Sequence, residues 1–79
     1  MTLDTLPKGA QAVVSQVVAR MENDPIATRL GELGFIPGAS VEIVATGPVG
    51  RDPIAVRLGS SRFALRRGEA SRIALKHDF

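Results

Sequence analysis

The chain has 79 residues, a net charge of +2 and no cysteine, with 44% apolar and 23% charged residues. That length suits one domain, 1–79, with a thin core, because a domain this small buries only about 60% of the surface its unfolded chain exposes. It excludes a deep enclosed cavity and a disulfide scaffold, and no apolar run approaches the roughly 20 residues that cross a bilayer. With no Trp or Tyr and only Phe35, Phe63 and Phe79 as aromatics, the core must be aliphatic. The lack of cysteine points to a reducing compartment, and the N-terminus lacks a signal peptide's charged-then-apolar pattern, so a cytoplasmic location is expected.

Residues 1–9 read as an extended lead-in ending at Pro7-Lys8-Gly9, a turn signal. Ala10 to Ala19 is rich in valine. β-Branched side chains fit a pleated strand better than a helical turn, so a strand is expected. Paired valines on either side of Ser15-Gln16 break strict alternation and predict a bulge or bend.

The clearest helix runs over about 24–34. Asp24 can cap the first-turn amides, and Pro25 sits at the first helical position, where its missing N–H costs nothing. Ile26, Leu30 and Leu33 make one apolar stripe. Arg29 and Glu32 lie off it. Gly34 stands where a left-handed residue ends the helix. Gly31 costs on the order of 1 kcal/mol against alanine, and close backbone packing against a sheet is the expected reason.

Pro37-Gly38 has the residues of a type II turn. Ser40 to Thr46 alternates as a strand, with Val41, Ile43 and Ala45 on one face. Gly47 to Pro53 reads as a loop. Ile54, Val56 and Leu58 mark the next strand, and Gly59-Ser60-Ser61 a tight connection. Phe63 and Leu65 continue with Arg62 and Arg66 opposite. Gly68-Glu69-Ala70 is a short turn or a single helical turn. Ile73 and Leu75 form the last strand, and the tail from Lys76 to Phe79 is expected to fray. The chain is therefore mainly β, with about five short strands and one short helix inserted after the first. Strands with one buried face each close most readily into a partly open barrel of the SH3 or OB kind.

Four blocks then occur in order. Leu3, Leu6-Pro7 and Gly9 precede the valine-rich strand. Arg29-Leu30-Gly31-Glu32-Leu33-Gly34-Phe35-Ile36-Pro37-Gly38 follows. Val41-Glu42-Ile43-Val44 leads, past a glycine-containing segment, to Asp52-Pro53-Ile54-Ala55-Val56. Phe63-Ala64-Leu65-Arg66-Arg67-Gly68-Glu69-Ala70 ends ahead of Ile73. In these blocks the chain resembles the FeoA family of bacterial ferrous iron transport accessory proteins. The resemblance implies a small cytoplasmic SH3-like domain that assists a large membrane ferrous iron permease bearing a G-protein domain. The same domain also occurs fused to metal-dependent transcription regulators. No DNA-binding helices are present here, so a free-standing accessory protein is the better match.

Catalysis lacks its parts. A nucleophile needs a base and an orienting group, yet the only histidine is His77, in the tail. No catalytic residue is expected. Glu22 and Asp24, or His77-Asp78, lack the spacing of metal ligands, so neither metal site nor cofactor is expected. The stretch from Gly47 to Pro53 lacks the Gly-Lys-Ser/Thr ending of a phosphate loop.

Two surfaces remain. Arg57, Arg62, Arg66 and Arg72 fall on the polar face by alternation, with Arg67 and Lys76 nearby. They make a candidate basic face for an acidic protein surface, phosphate or lipid headgroups; the plainer reading is a solvated face that guards against edge pairing. No stacking aromatics interleave with them, so nucleic acid is not expected. A nucleic-acid-binding barrel and a metal-responsive regulatory module stand as alternatives. The helix–turn block is the sharper candidate. Leu33, Phe35 and Ile36 crowd one helix end, and an apolar remainder there would be a partner site. The expected surface is Leu33, Phe35, Pro37 and Gly38 with Arg29 and Glu32 as its polar rim. The expected partner is the cytoplasmic part of the permease, without direct membrane insertion. An unpaired strand edge would also allow a homo-oligomer.

Overall fold

The first strand sets the architecture. In the computed structural model, which describes residues 1–76, β1 (Gln11–Val17) pairs through residues 11–13 with β2 (Ser40–Val49). From Val14 onward it pairs instead with β5 (Ile73–Leu75), and the register shifts between Val14 and Gln16. An extra residue bends its strand, so this bulge, predicted at Ser15-Gln16, rolls the sheet. With β3 (Asp52–Leu58) and β4 (Ser61–Leu65), all pairs are antiparallel in the order β4-β3-β2-β1-β5. The helices are α1 (Pro25–Leu33) and α2 (Arg67–Ala70).

The lead-in does more than extend. Leu3–Thr5 coils into a 3-10 turn, and Leu3 and Leu6 are buried in the core. Thr2 bridges Ala74, and the Leu75 N–H donates to the Met1 carbonyl at 3.0 Å. The N-terminus thus covers the outer edge of β5. At the other end of the order, β4 is the terminal strand.

The expected alternation in β2 fails after Ile43. The register shifts between Ile43 and Ala45, and Ala45 lies opposite Ala55 and is exposed. One inserted residue moves all that follow to the opposite face. Residues 47–53 are not a loop either. β2 runs to Val49, opposite Asp52, and Gly50 and Arg51 form the two-residue turn with φ of 61° and 60°. Such left-handed pairs match the twist of a hairpin. A Cβ on Gly47 would stand 2.5 Å from the Asp52 carbonyl oxygen, so the close crossing of the two strands requires glycine.

Leu30, Phe35, Ile43, Val56, Leu65 and Ile73 fill the core from both helix and sheet. The expected packing over Gly31 is absent: a Cβ there would meet nothing within 4 Å. His77 to Phe79, including the tail expected to fray beyond Lys76, lie outside the described residues.

Candidate functional site

Asp24 anchors the helix–turn block. One carboxylate oxygen accepts from the Ile26 and Ala27 amides at 3.1 and 3.4 Å, which satisfies first-turn donors. The other accepts the Arg20 N–H at 3.0 Å and Arg72 Nε at 2.7 Å. Arg72 Nη1 also donates to the Gly68 carbonyl at 2.7 Å, and the Arg20 guanidinium reaches the Ser71 hydroxyl. The Arg20 amide, then the Arg72 guanidinium, hold the Asp24 carboxyl at about 2, below its ordinary 3.8. Both partners are buried, so the start of α1 is tied through an ion pair to the junction of α2 and β5.

This removes Arg72 from the expected basic face. Alternation places a side chain on one side of a strand, but Arg72 precedes β5 and turns inward to the charge that α1 presents. Arg57 and Arg62 are exposed, cross-strand partners; Arg57 lies 3.6 Å from Glu42, and exposed Arg66 lies 4.0 Å from Asp52. The Arg67 guanidinium reaches the Gly50 carbonyl, and its amide donates to Asp52 at 3.0 Å. Lys76 is exposed.

At the other end of α1, Gly34 stops the helix with φ 116°. Phe35 then turns into the core and meets Phe63 with ring centroids 5.8 Å apart. It is 1% exposed, so it supports the surface from beneath and offers nothing to a partner. Leu33 is half-buried. The apolar remainder is Ile36, 54% exposed, a residue outside the expected set. Pro37 and Gly38 are exposed beside it. Gly38 has φ 92°, and the Ala39 N–H donates to the Ile36 carbonyl at 3.0 Å, as a type II turn requires. The Gly38 N–H donates to Val14 O, and the Val14 N–H to Ala39 O, both at 2.8 Å. These bonds stitch the turn to β1. Arg29 pairs with Glu69 of α2 at 3.1 Å, and Glu32 is exposed. The sequence pattern could not say which of three apolar neighbours would face out.

Two shallow clefts lie elsewhere. One of about 480 Å³ runs over Gln11, Val13, Ser40, Glu42, Arg57 and Gly59. Another of about 320 Å³ lies near the hairpin tip, between Asp4, Thr5, Gly50, Arg51, Ile54 and Arg67. Among the described residues no three His, Cys, Asp or Glu side chains converge as metal ligands, and no helix is long and apolar enough to cross a membrane.

The fold and its sequence have clear counterparts. No curated protein matches the chain. The solved structure of Stenotrophomonas maltophilia FeoA complexed with zinc, described as a procaryotic SH3 domain protein, is 50% identical with a TM-score of 0.90, over 96% of this chain and 89% of that one. Chlorobium tepidum FeoA is 35% identical with a TM-score of 0.81, over 95% of this chain and 68% of that one. Iron(II) transport protein A from Clostridium thermocellum is 33% identical with a TM-score of 0.82; the match takes in 96% of this chain but 44% of that one. The rolled sheet is thus an SH3-like barrel, as expected. The sequence model of the FeoA domain matches residues 1–77, and the chain belongs to the FeoA family.

Proposed function

We propose that this chain is a cytoplasmic, non-enzymatic accessory protein of ferrous iron uptake, without a resident cofactor. It binds and modulates a membrane ferrous iron permease through its G-protein-bearing cytoplasmic part. Family membership and the ferrous iron names of its relatives support the context. The observation that carries the docking surface is the Ile36-Pro37 projection, an exposed apolar pair on a turn whose backbone is hydrogen-bonded to β1. Preorganisation of this kind lowers the ordering cost of association. Leu33 flanks the projection, Gly38 shapes its turn, and Arg29 and Glu32 form its polar rim.

Co-purification with the detergent-solubilised permease tests both parts. The parent chain is expected to be retained, and Ile36→Asp and Glu32→Lys variants to be lost while keeping the parent's circular dichroism. Folded variants retained like the parent would mean that docking occurs elsewhere. A parent chain that is not retained would remove the permease as partner.

A further inference from the structure

The outer face of the sheet carries an arrangement that the docking turn does not use. Gln11, Glu42, Arg57 and Arg62 are successive Cα partners across β1, β2, β3 and β4, so they form one lateral row. The adjacent row is Ala45, Ala55 and Ala64. Beyond it on the β4 side lies Arg66, in extended conformation at φ −71° and ψ 158°. Arg62, Ala64 and Arg66 therefore share the outer side of the terminal strand and its continuation.

Two features of this edge stand out. Arg57 and Arg62 are directly opposite, and like charges in that relation are destabilising. Arg57 has Glu42 at 3.6 Å and Arg66 has Asp52 at the longer distance of 4.0 Å, but among the described residues no carboxylate lies within 4.0 Å of the Arg62 guanidinium. Among the described residues no backbone pairs with the outer side of β4, whereas the opposite edge, at β5, is closed by the N-terminus. The β4 strand of a second copy offers Arg62 and Arg66 and no carboxylate, so it is a poor occupant. Antiparallel self-pairing of β4 centred on Ala64 would set Arg62 against Arg66 of the other copy.

We propose that the free edge of β4 receives an extended acidic segment of a partner protein. The segment adds as a sixth strand, with carboxylates against Arg62 and Arg66. Those two arginines are four residues apart, about 13 Å along a strand, so acidic residues at the same spacing on one face of the incoming strand meet both. The alanine row leaves the long arginine stems free to lean toward that strand. Backbone pairing supplies the affinity and the arginines supply the choice of partner. This surface includes none of the residues assigned to permease docking, and its test needs no permease.

The probe is a short fluorescein-labelled threonine/valine peptide carrying two glutamates four residues apart, followed by fluorescence anisotropy. Binding is expected to weaken with salt and to fall about tenfold with Arg62→Glu. The peptide with glutamine for glutamate is expected to bind at least about tenfold more weakly. The peptide N-methylated at alternate residues keeps its charges but cannot pair, and is expected not to bind. With the parent chain, amide hydrogen exchange is expected to slow across residues 61–65 and stay unchanged across 73–75. Equal binding of the glutamine peptide, undiminished binding of the N-methylated peptide, or no binding of the parent peptide would each overturn the proposal. In the last case the arginines serve only to keep β4 from pairing.

Discussion

The arginines at the two ends of the sheet live under opposite rules. At the β5 end, Arg72 is buried, and its Nε and one Nη engage Asp24 and the Gly68 carbonyl. At the β4 end, Arg57 and Arg62 are exposed and face each other. The first arrangement holds α1 to the barrel. In the second, Arg57 has Glu42 at 3.6 Å, but among the described residues Arg62 has no carboxylate within 4.0 Å. A charge whose donors are engaged inside the fold serves architecture; like charges set opposite each other on the exposed side of β3 and β4 cost the fold some stability.

Removing Arg72 should show the contrast most strongly. Breaking a buried ion pair costs roughly 3–5 kcal/mol, and Asp24 keeps three amide donors, so Arg72→Ala is expected at about 3 kcal/mol by urea denaturation. A loss as small as that of an exposed arginine would place this pair in the same class as the outer row.

The same node sets an acid limit. The Asp24 carboxyl titrates lower in the folded chain, at about 2, than its ordinary 3.8. A depressed carboxyl contributes stability that is fully present above the ordinary value and is lost as pH falls through the folded one. The urea midpoint should therefore drop between about pH 4 and pH 2, and an Asp24→Asn variant, less stable at neutral pH, should show a shallower drop. Parallel pH curves for the two proteins would refute this assignment.

The contrast recurs within α1, which is tightly held at Asp24 yet carries an open position at Gly31. Gly31→Ala has space for its methyl and is expected to raise stability by about 1 kcal/mol in thermal denaturation. A loss there would mean that the helix needs glycine for a reason other than room. Smallest of all, Arg62→Thr removes the like-charge opposition and adds a good strand former. It is expected to raise stability by about 0.5 kcal/mol, with the gain shrinking in high salt.

Much of the fold was legible because its signals are local. Asp24-Pro25 and Gly34 delimit α1 through capping and left-handed geometry that a few neighbouring residues decide. The Pro37-Gly38 turn and the β1 bulge were readable for the same reason. The 47–53 hairpin was hidden because two prolines and two glycines mask a strand whose two-residue turn needs positive φ at Gly50 and Arg51. Of the candidate surface, Arg29, Glu32, Pro37 and Gly38 stand exposed as expected, while Phe35 and Ile36 exchange the roles that apolar character alone assigned them.

Local patterns, then, settled the number of strands and their succession along the chain, the helix limits and the type of turn, since each depends on backbone preferences within a few residues. Tertiary packing decided which groups meet across long separations. Asp24 and Arg72 are 48 residues apart and pair only because the start of α1 meets the junction of α2 and β5. Arg57 and Arg62 oppose each other only because the β3–β4 register sets them there. Neither pairing is a property of the residue types, because a charge acquires its role from what the folded chain places within a few ångströms of it.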